Sequence, residues 1–594
     1  MIRSSLREQS EVVPELSGAP IAEPIAGPVA RSAARLDDRY AHGASERPAG
    51  ESLCRYLDSF DWSLYQAGVA LEERIAGAAP RELRWLDLRN DGVVIARQTT
   101  NTEPGFADAL PDGPVSDLLA PILGIRRLLP MAEVAIRAQR LRVLNEDDKT
   151  VVRIVIEEAS LRGPEPAAVA LPPRLRLLPV RGYAREMDDT LRRLEQSLGF
   201  SAGEHESATP LFFDAMTAAG CRPGGYSTKL AYRIDPEQRA DAAAKAILHG
   251  LFDTLEANVE GTVKNLDVEF LHDLRVATRR TRSALSQIKG VFAPPIVEDF
   301  KARFAWLQQV TGPVRDLDVY LLDFPTLRDS LPEAMRDGLE PLRDWLIGHY
   351  AEEQAKLAEA LKSPRFQALR RDWRAFLEAP TPRDSSLSGA QTGSPAGPQS
   401  GPASEPLSQP ASSMSAMAPQ TPPPPPADGL DGERSIKSVA DRRLRSVYQR
   451  LRREGRAITH VSPAAELHEL RKTCKKLRYL MEFFESLYPS REMRKPIKQC
   501  KVLLDNLGSF QDLEVQAAHL AETARRMHAE GACGVATLLS MGALIRTMLE
   551  GQQRARQQFS KTFAEFDSPT NRAAFERLFG ARGVGAAAAR DANA

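Results

Sequence analysis

Two distant stretches of this chain carry a histidine followed by basic residues at the same spacing. Residues 272–282 contain one histidine and four arginines, and residues 468–478 contain one histidine with arginine or lysine at the matching positions. A second motif follows each stretch, with Gly312 and Asp316 in the first copy and Gly508 and Asp512 in the second. Both motifs repeat at an offset of 196 residues, which indicates an internal duplication.

Each stretch predicts a helix with one cationic face and one apolar face. At 100° per residue the histidine and three basic residues fall within an arc of about 80°, and the apolar residues lie opposite. The first stripe comprises His272, Arg275, Arg279 and Arg282, with Arg280 on its flank; the second comprises His468, Arg471, Lys475 and Arg478, with Lys476 on its flank. A solvated basic face, or one paired with acids of a neighbouring helix, is the alternative interpretation.

The chemistry open to such stripes is the binding of phosphate groups. A guanidinium group can donate two hydrogen bonds to one phosphate, whereas an ammonium group acts as a point charge. Two stripes brought together by a pseudo-twofold axis would line one positive cleft, which favours a polyanion through its focused field and through counterion release. The second block is the more basic one, because residues 433–501 contain 19 Lys or Arg against 8 Asp or Glu.

The composition predicts a multidomain globular protein. The 594 residues favour two to four domains, and 42% apolar with only 6% aromatic residues favours helices rich in Leu and Ala. Charges balance at 79 each, so the basic block is a local feature. No run of about 18 apolar residues predicts a membrane span, and no signal peptide is expected. The five scattered cysteines favour neither a disulfide framework nor a structural zinc site. We therefore expect a reducing, cytoplasmic location.

The spacing of the apolar residues and the local composition change along the chain and divide it into segments. We predict a disordered tail at 1–50, a strand-rich domain at 51–198 that ends in a helix from Ala184 to Leu198, and a connector at 199–239. Asn90-Asp91-Gly92 and residues 145–149 are predicted hairpin turns. Helical blocks follow at 240–379 and 433–578, separated by a Pro/Ser-rich disordered linker at 380–432, and a disordered tail covers 579–594.

The duplicated His-x-x-Arg-x-x-x-Arg/Lys-Arg/Lys-x-Arg helix, followed by Gly-x-x-Arg/Gln-Asp, resembles the CHAD domain, the conserved histidine α-helical domain. This resemblance implies a mainly α fold, a duplicated helical bundle with pseudo-twofold symmetry, whose basic central cavity binds inorganic polyphosphate. It also implies phosphate contacts from His272, Arg275, Arg279, Arg280, Arg282, Arg315, His468, Arg471, Lys475, Lys476, Arg478 and Lys501. Gln511 departs from the pattern, since the first copy has Arg315 there.

The acids of the second motif suit a different role. Carboxylates are poor direct ligands for a polyanion, so Asp316 and Asp512 are predicted to orient the arginines from behind. A histidine beside several arginines should resist protonation, yet a neutral ring can still donate one hydrogen bond to phosphate. We therefore count both histidines among the expected phosphate contacts.

The N-terminal block resembles a CYTH domain, a small α+β barrel of the triphosphate-tunnel type. The resemblance rests on residues 55–71, with Tyr56 and Asp58, and on the strand and turn from Arg84 to Gly92. The Glu-x-Glu-x-Lys strand that binds the divalent metal in that family is not found before Tyr56, so the barrel is expected to be degenerate. Arginines that would line a tunnel are Arg89, Arg97, Arg137 and Arg153.

The leading functional hypothesis is non-enzymatic binding of inorganic polyphosphate in the cytoplasm, in association with polyphosphate granules. It assigns no catalytic residue, no metal ligand and no cofactor. The alternative is a triphosphate hydrolase that uses the CYTH-like domain with Mg²⁺ or Mn²⁺. A second alternative is nucleic-acid binding, which the lack of an exposed aromatic platform on the stripe helices disfavours.

Overall fold

The computed structural model describes residues 22–24, 51–163, 169–198, 210–228, 232–380 and 431–580. The predicted tails and the predicted linker lie almost wholly outside these ranges. The chain divides into two compact units, Met1–Ser227 and Thr228–Ala594, and the division falls inside the predicted connector. Within the described residues, no helix combines the length and the apolar character that a membrane span requires.

The first unit is built on one antiparallel β-sheet. Its strands are β1 (Ala22–Pro24), β2 (Ser52–Asp58), β3 (Val69–Ile75), β4 (Arg81–Asp87), β5 (Val93–Thr100), β6 (Leu129–Leu144), β7 (Thr150–Arg162), β8 (Val169–Ala170) and β9 (Arg174–Pro179). The strand order is β1-β9-β7-β6-β2-β3-β4-β5, and β8 pairs with β7. This confirms the predicted β domain, while its closure into a CYTH-like barrel stays a prediction.

Both predicted hairpins are present in this sheet. Between β4 and β5, Asp91 and Gly92 adopt left-handed backbone angles with φ of 51° and 70°, which the turn requires. Between β6 and β7, the Asn145 side chain accepts hydrogen bonds from the backbone N–H groups of Asp147 and Lys149. Such a side-chain-closed turn explains why the polar run reverses the chain there.

The helices of the first unit are α1 (Ser63–Gln66), α2 (Pro114–Leu123), α3 (Ala184–Leu198) and α4 (Leu211–Ala218). Helix α4 lies within the stretch predicted as a connector and packs into the sheet instead. Its Phe212 ring meets Tyr56 edge-to-face at 5.4 Å, and Asp214 forms an ion pair with Arg174 at 2.5 Å. Eight residues are too few for the helical period to stand out in the sequence.

The described part of the second unit is built from helices. Its helices are α5 (Ala240–Val263), α6 (Val268–Gln287), α7 (Pro294–Val310), α8 (Gly312–Asp329), α9 (Glu333–Arg336), α10 (Glu340–Lys362), α11 (Pro364–Glu378), α12 (Ile436–Ala457), α13 (Ala464–Phe483), α14 (Ser490–Ala529), α15 (Val535–Phe566) and α16 (Pro569–Phe579). We call α5–α11 the first half and α12–α16 the second half.

Contacts between equivalent residues show that a pseudo-twofold axis relates the halves. The N–H of Ala240 donates to the carbonyl of Arg434, and the N–H of Ile436 donates to the carbonyl of Gln238, both at 2.9 Å. The two bonds are equivalent, because Ala240 and Gln238 correspond to Ile436 and Arg434 at the offset of 196 residues. The Tyr320 hydroxyl likewise donates at 3.0 Å to the carbonyl of Gln516, its own equivalent.

The two halves share one hydrophobic core. The same cluster of buried side chains contains Phe304 and Trp373 from the first half and Phe483 and Phe566 from the second. A second cluster joins Tyr320 and Leu342 to residues of α14 and α15. Because apolar surface from both halves is buried together, neither half has a complete core of its own.

In each half, ion pairs join the first helix to the final helix or to the residues just before it. The acid lies on the first helix in one half, whereas the arginines lie on the first helix in the other half. In the first half, Glu256 of α5 accepts from Arg370 at 2.5 Å and from Arg374 at 3.0 Å, both on α11. In the second half, Arg452 and Arg456 of α12 each lie 2.7 Å from Asp567, in the turn between α15 and α16. Arg452 is the duplicated equivalent of Glu256.

The halves differ where the second motif begins. In the first half, α7 ends at Val310 and α8 begins at Gly312, whereas the 40-residue α14 runs through the equivalent point without interruption. Pro313 lies just after the break, and a proline has no N–H to continue the hydrogen-bond ladder. The second half has Ser509 at that position.

Candidate functional site: a cationic cluster between the halves

Helices α6 and α13 carry the two predicted stripes and present them on partly exposed faces. Helix α6 begins at Asp267, whose side chain accepts from the backbone N–H groups of Glu269 at 3.0 Å and Phe270 at 3.3 Å. Leu274 on α6 and Leu470 on α13 are fully buried on the opposite faces. The apolar side of each helix thereby fixes the direction of its basic side.

The stripes meet at Arg279 and Lys475, which are equivalent residues of the two halves. Lys475 is partly buried, and its charged neighbours are three cations, Arg471, Arg279 and Arg478, and one acid, Asp512, which opposes them. Burial, followed by the charges of Arg471 and Arg279, lowers the pKa of Lys475 to about 8. The first half thus contributes positive charge directly to the surroundings of a lysine in the second half.

Arg275 is held by the break between α7 and α8. Its Nη1 donates to the carbonyl of Gln308 at 2.9 Å and to the hydroxyl of Thr311 at 2.8 Å. Arg315 lies among the charges near Arg275, and its Nη1 is 3.9 Å from the carboxylate of Asp318. Both arginines are therefore fixed in position by groups of the first half.

Asp316 lies beside Arg275 and Arg315, as the prediction of an orienting carboxylate would require. Burial raises the pKa of Asp316, and the positive charges of Arg275, His519 and Arg315 oppose that rise. Asp316 is therefore an acid that lies beside two of the predicted phosphate ligands.

In the second half a carboxylate holds the equivalent arginine. Arg471 donates from Nη2 to Asp512 at 2.8 Å. A Cβ added to Gly508 would lie 3.9 Å from Nη2 of Arg471, and one added to Gly312 would lie 3.8 Å from Nη1 of Arg275. Each arginine therefore lies against the glycine of its own second motif.

Gln511, the departure from the repeat, binds His468. Its Oε1 is in hydrogen-bond contact with Nδ1 of His468, and an amide oxygen can only accept, so Nδ1 donates. The Nε2 of a neutral ring would then be an acceptor, which cannot bind a phosphate oxygen. With this partner, His468 can donate to phosphate only when its ring is protonated.

Glu482 bridges the two stripe helices and neutralises two predicted phosphate ligands. Its carboxylate lies 2.7 Å from Nε of Arg478 and 3.5 Å from Nη2 of Arg280. Arg280 also donates from Nη1 to the carbonyl of Thr228 at 2.8 Å. The structure thus places Arg280 and Arg478 in a cross-half ion bridge, which is the alternative interpretation of a basic stripe.

Among the described residues, no contact joins three other predicted ligands to this centre. Lys476 has Arg450, Glu469 and Glu454 as charged neighbours, so it belongs to the surface shared with α12. Lys501 is exposed on α14, and Arg282 is half-buried on α6. No ion pair is recorded for Arg282 or Lys501 within the described part of the chain.

Several cations of the basic second half are structural. Arg443 donates at 2.7 Å to the carbonyl of Gln287, the last residue of α6, and Arg445 donates at 2.8 Å to the carbonyl of Phe579, the last residue of α16. Such contacts satisfy the unpaired carbonyls and the negative end of the helix dipole. The net positive charge of residues 433–501 therefore overstates the charge available to a ligand.

What remains is a compact group that we call the cationic cluster: Arg275, Arg279, Arg315, Arg471 and Lys475. Arg279 donates from Nε to the Tyr479 hydroxyl at 2.9 Å, and no ion pair is recorded for Arg279 or Lys475 among the described residues. This tyrosine contact could not be predicted from the sequence, since its partners are 200 residues apart. Fixed guanidinium groups around an unpaired ammonium group form a site for a multiply charged anion.

One group of side chains near the first stripe could hold a cation. Glu269, His272 and Asp273 offer ligand atoms within 4.8 Å of one another. The sequence assigned no metal ligand, and His272 was predicted to contact phosphate. Within the described residues, this is the one such group of three or more.

In the first unit, the arginines predicted to line a tunnel lie on exposed faces of the sheet or its turns. These residues are Arg89, Arg97, Arg137 and Arg153. The arginines that point into the domain are different ones, and acids pair with them. Glu72, only 4% exposed, lies 2.5 Å from Arg74 and 3.6 Å from Arg84, and Glu157 pairs with Arg176.

Two halves related by a pseudo-twofold axis, with equivalent helices that place their cations side by side, define a duplicated helical bundle with a cationic centre. The family model of the CHAD domain matches residues 246–521. Residues 246–521 therefore form a CHAD domain, and the resemblance seen in the repeated motif is confirmed. The CYTH-like character of the first unit stays a prediction.

Two solved structures are similar to the chain. One is the crystal structure of the CHAD domain from the plant Ricinus communis, 22% identical, with 59% of this chain and 96% of that chain covered at a TM-score of 0.40. The other is PptA from Streptomyces chartreusis, 15% identical, with 55% of this chain and 99% of that chain covered at a TM-score of 0.38. No curated protein matches the chain.

Proposed function

We propose that the cationic cluster binds inorganic polyphosphate without chemical turnover, and that the protein thereby associates with polyphosphate granules in the cytoplasm. The observation that carries the proposal is the pair Arg279 and Lys475. Equivalent helices bring these two residues together, and neither has a recorded ion-pair partner among the described residues. Like charges held this close are unfavourable on their own and favour a polyanion between them.

Polyphosphate fits this site better than nucleic acid does. Proteins that bind single strands stack bases on exposed aromatic rings. Tyr479, the aromatic residue at the end of the second stripe, is only 8% exposed, and its hydroxyl accepts from Arg279. A chain of phosphates without bases needs the charges alone.

The hydrolase alternative gains no support from the first unit. Its inward-pointing arginines are paired with Glu72, Glu157 and Asp214. We therefore place the function in the second unit.

The test is the double variant R279A/K475A. These two side chains can be removed without disturbing the contacts of Arg275 with Thr311 or of Arg471 with Asp512. We expect binding of long-chain polyphosphate to weaken at least about tenfold, and the slope of log affinity against log salt to fall by about 2. The matched control is R554A/K561A, which removes the same charge from exposed positions of α15.

The isotherms are repeated with DNA as competitor at equal phosphate concentration, and circular dichroism checks the helical content. Tight binding that DNA cannot displace, lost in R279A/K475A and kept in the control, supports the proposal. Equal losses in both variants, or equal displacement by DNA, would show a general basic surface instead.

A further inference from the structure

Helix α14 carries an exposed row of cations that the duplication does not explain. Arg494, Lys498 and Lys501 are all exposed, and no ion pair is recorded for them within the described part of the chain. We call these three residues the exit row. In the first half the equivalent positions hold Glu298, Ala302 and Ala305.

The exit row is in line with the cationic cluster. Taking Gly508 as 0° on α14, Lys501 lies at about 20°, Arg494 at about 40° and Lys498 at about 80°. Asp512, which holds Arg471, lies at about 40° on the same face. Arg494 is about 21 Å along the helix axis from Gly508, at 1.5 Å per residue.

From this alignment we propose that the exit row binds the part of a long polyphosphate chain that extends beyond the cationic cluster. The inference rests on the proposed function and adds a direction to it: the chain leaves over the second half only. The row lies on the face of α14 that also contacts Arg471, so one anion can follow it from the cluster. A chain leaving over the first half would instead meet the exposed Glu298 in place of Arg494, and alanines in place of the two lysines.

One acid interrupts the row and provides a second test. Asp505 is exposed and lies at about 60° on the same face, between Lys501 and Gly508. Its carboxylate opposes a passing polyanion. The substitution D505N removes that repulsion, so we expect it to strengthen binding of long chains, which pass over this position, more than it strengthens binding of tripolyphosphate.

The main experiment compares tripolyphosphate with long-chain polyphosphate in the full-length protein. The double variant R494A/K498A should bind tripolyphosphate within about twofold of wild type and long chains at least about tenfold more weakly, with a salt slope lower by about 2. The control R554A/K561A removes two exposed cations from α15 and should leave both affinities within about twofold, because these cations lie outside the row.

The outcomes separate this inference from the proposed function. Equal weakening for short and long chains, or no weakening of long chains, would overturn the exit row and leave the cationic cluster standing. Wild-type protein that bound neither anion would overturn the proposed function itself, and the exit row with it.

Discussion

Lys475 is the residue whose protonation should respond to the ligand. In the free protein burial and the neighbouring arginines lower its pKa to about 8 from an ordinary value of 10.5. The unfolded chain therefore binds more protons than the folded chain between these values, and the free energy of unfolding should rise with pH across that interval. A bound polyanion favours the ammonium form and raises the pKa again.

Polyphosphate binding should therefore take up a proton above pH 8. We expect the affinity to be flat between pH 7 and 8 and then to fall by up to about tenfold per pH unit, the limit for one proton. The variant K475R keeps its charge at these pH values, so its affinity should stay flat. Isothermal titration calorimetry in two buffers of different ionisation enthalpy measures the uptake, and equal pH profiles for both proteins would contradict the assignment.

The sequence predicted the stripe residues because their spacing repeats, but it could not predict which cations are neutralised. Arg280 and Arg478 belong to the same repeated pattern as Arg279 and Lys475, yet Glu482 pairs with the first two. The partner of Arg280 is 202 residues away, and only the packing of α6 against α13 brings it close. Charge pairing at that range depends on the tertiary fold.

At the scale of helices, Glu482 holds the two stripe helices together and also masks two cations. Removing its charge should therefore have two opposite effects. The variant E482Q should lower the free energy of unfolding by about 1–2 kcal/mol, because two partly buried arginines lose a charged acceptor. The same variant should bind polyphosphate several-fold more tightly and with a steeper salt dependence.

Thermal unfolding and binding isotherms in a salt series measure both effects. The control E485Q makes the same change of charge three residues further along, where no ion pair is recorded among the described residues. If E482Q and E485Q behaved alike, the bridge would contribute neither stability nor masking.

The break between α7 and α8 shows what can and cannot be predicted from the sequence at the scale of one helix. The structure interrupts the helix at Thr311, close to Pro313, which has no N–H to donate. The interruption also supplies the hydrogen-bond acceptors of Arg275. This role could not be predicted from the sequence, because it depends on how α6 lies against the break. Helix α4 was missed for a simpler reason, since it is short and its apolar side is covered by the sheet.

On the scale of the whole molecule, the shared core makes the two halves one folding unit. We predict that residues 1–380 and 431–594, expressed together as separate polypeptides, will copurify in equal amounts. Their affinity for polyphosphate should stay close to that of the intact chain, because the cationic cluster needs side chains from both. Each polypeptide expressed alone should aggregate or unfold, since its part of the core would face water.

Size-exclusion chromatography and circular dichroism of the three preparations measure this outcome. Two fragments that eluted separately as folded monomers would show that each half has its own core. The duplication itself was predicted from the sequence at this scale, because the offset is constant through both motifs. The shared core was not, since apolar residues do not reveal which half covers them.

The reversed ion pairs of the closing helices bear on how a duplicated chain avoids exchanging its parts. If α11 packed on α12, Arg370 and Arg374 would meet Arg452 and Arg456. If the segment of Asp567 packed on α5, it would meet Glu256. Both exchanges bring like charges together and are opposed, whereas the native pairings attract. The opposite polarity of the two ion pairs thus favours packing of each closing helix on its own half during folding.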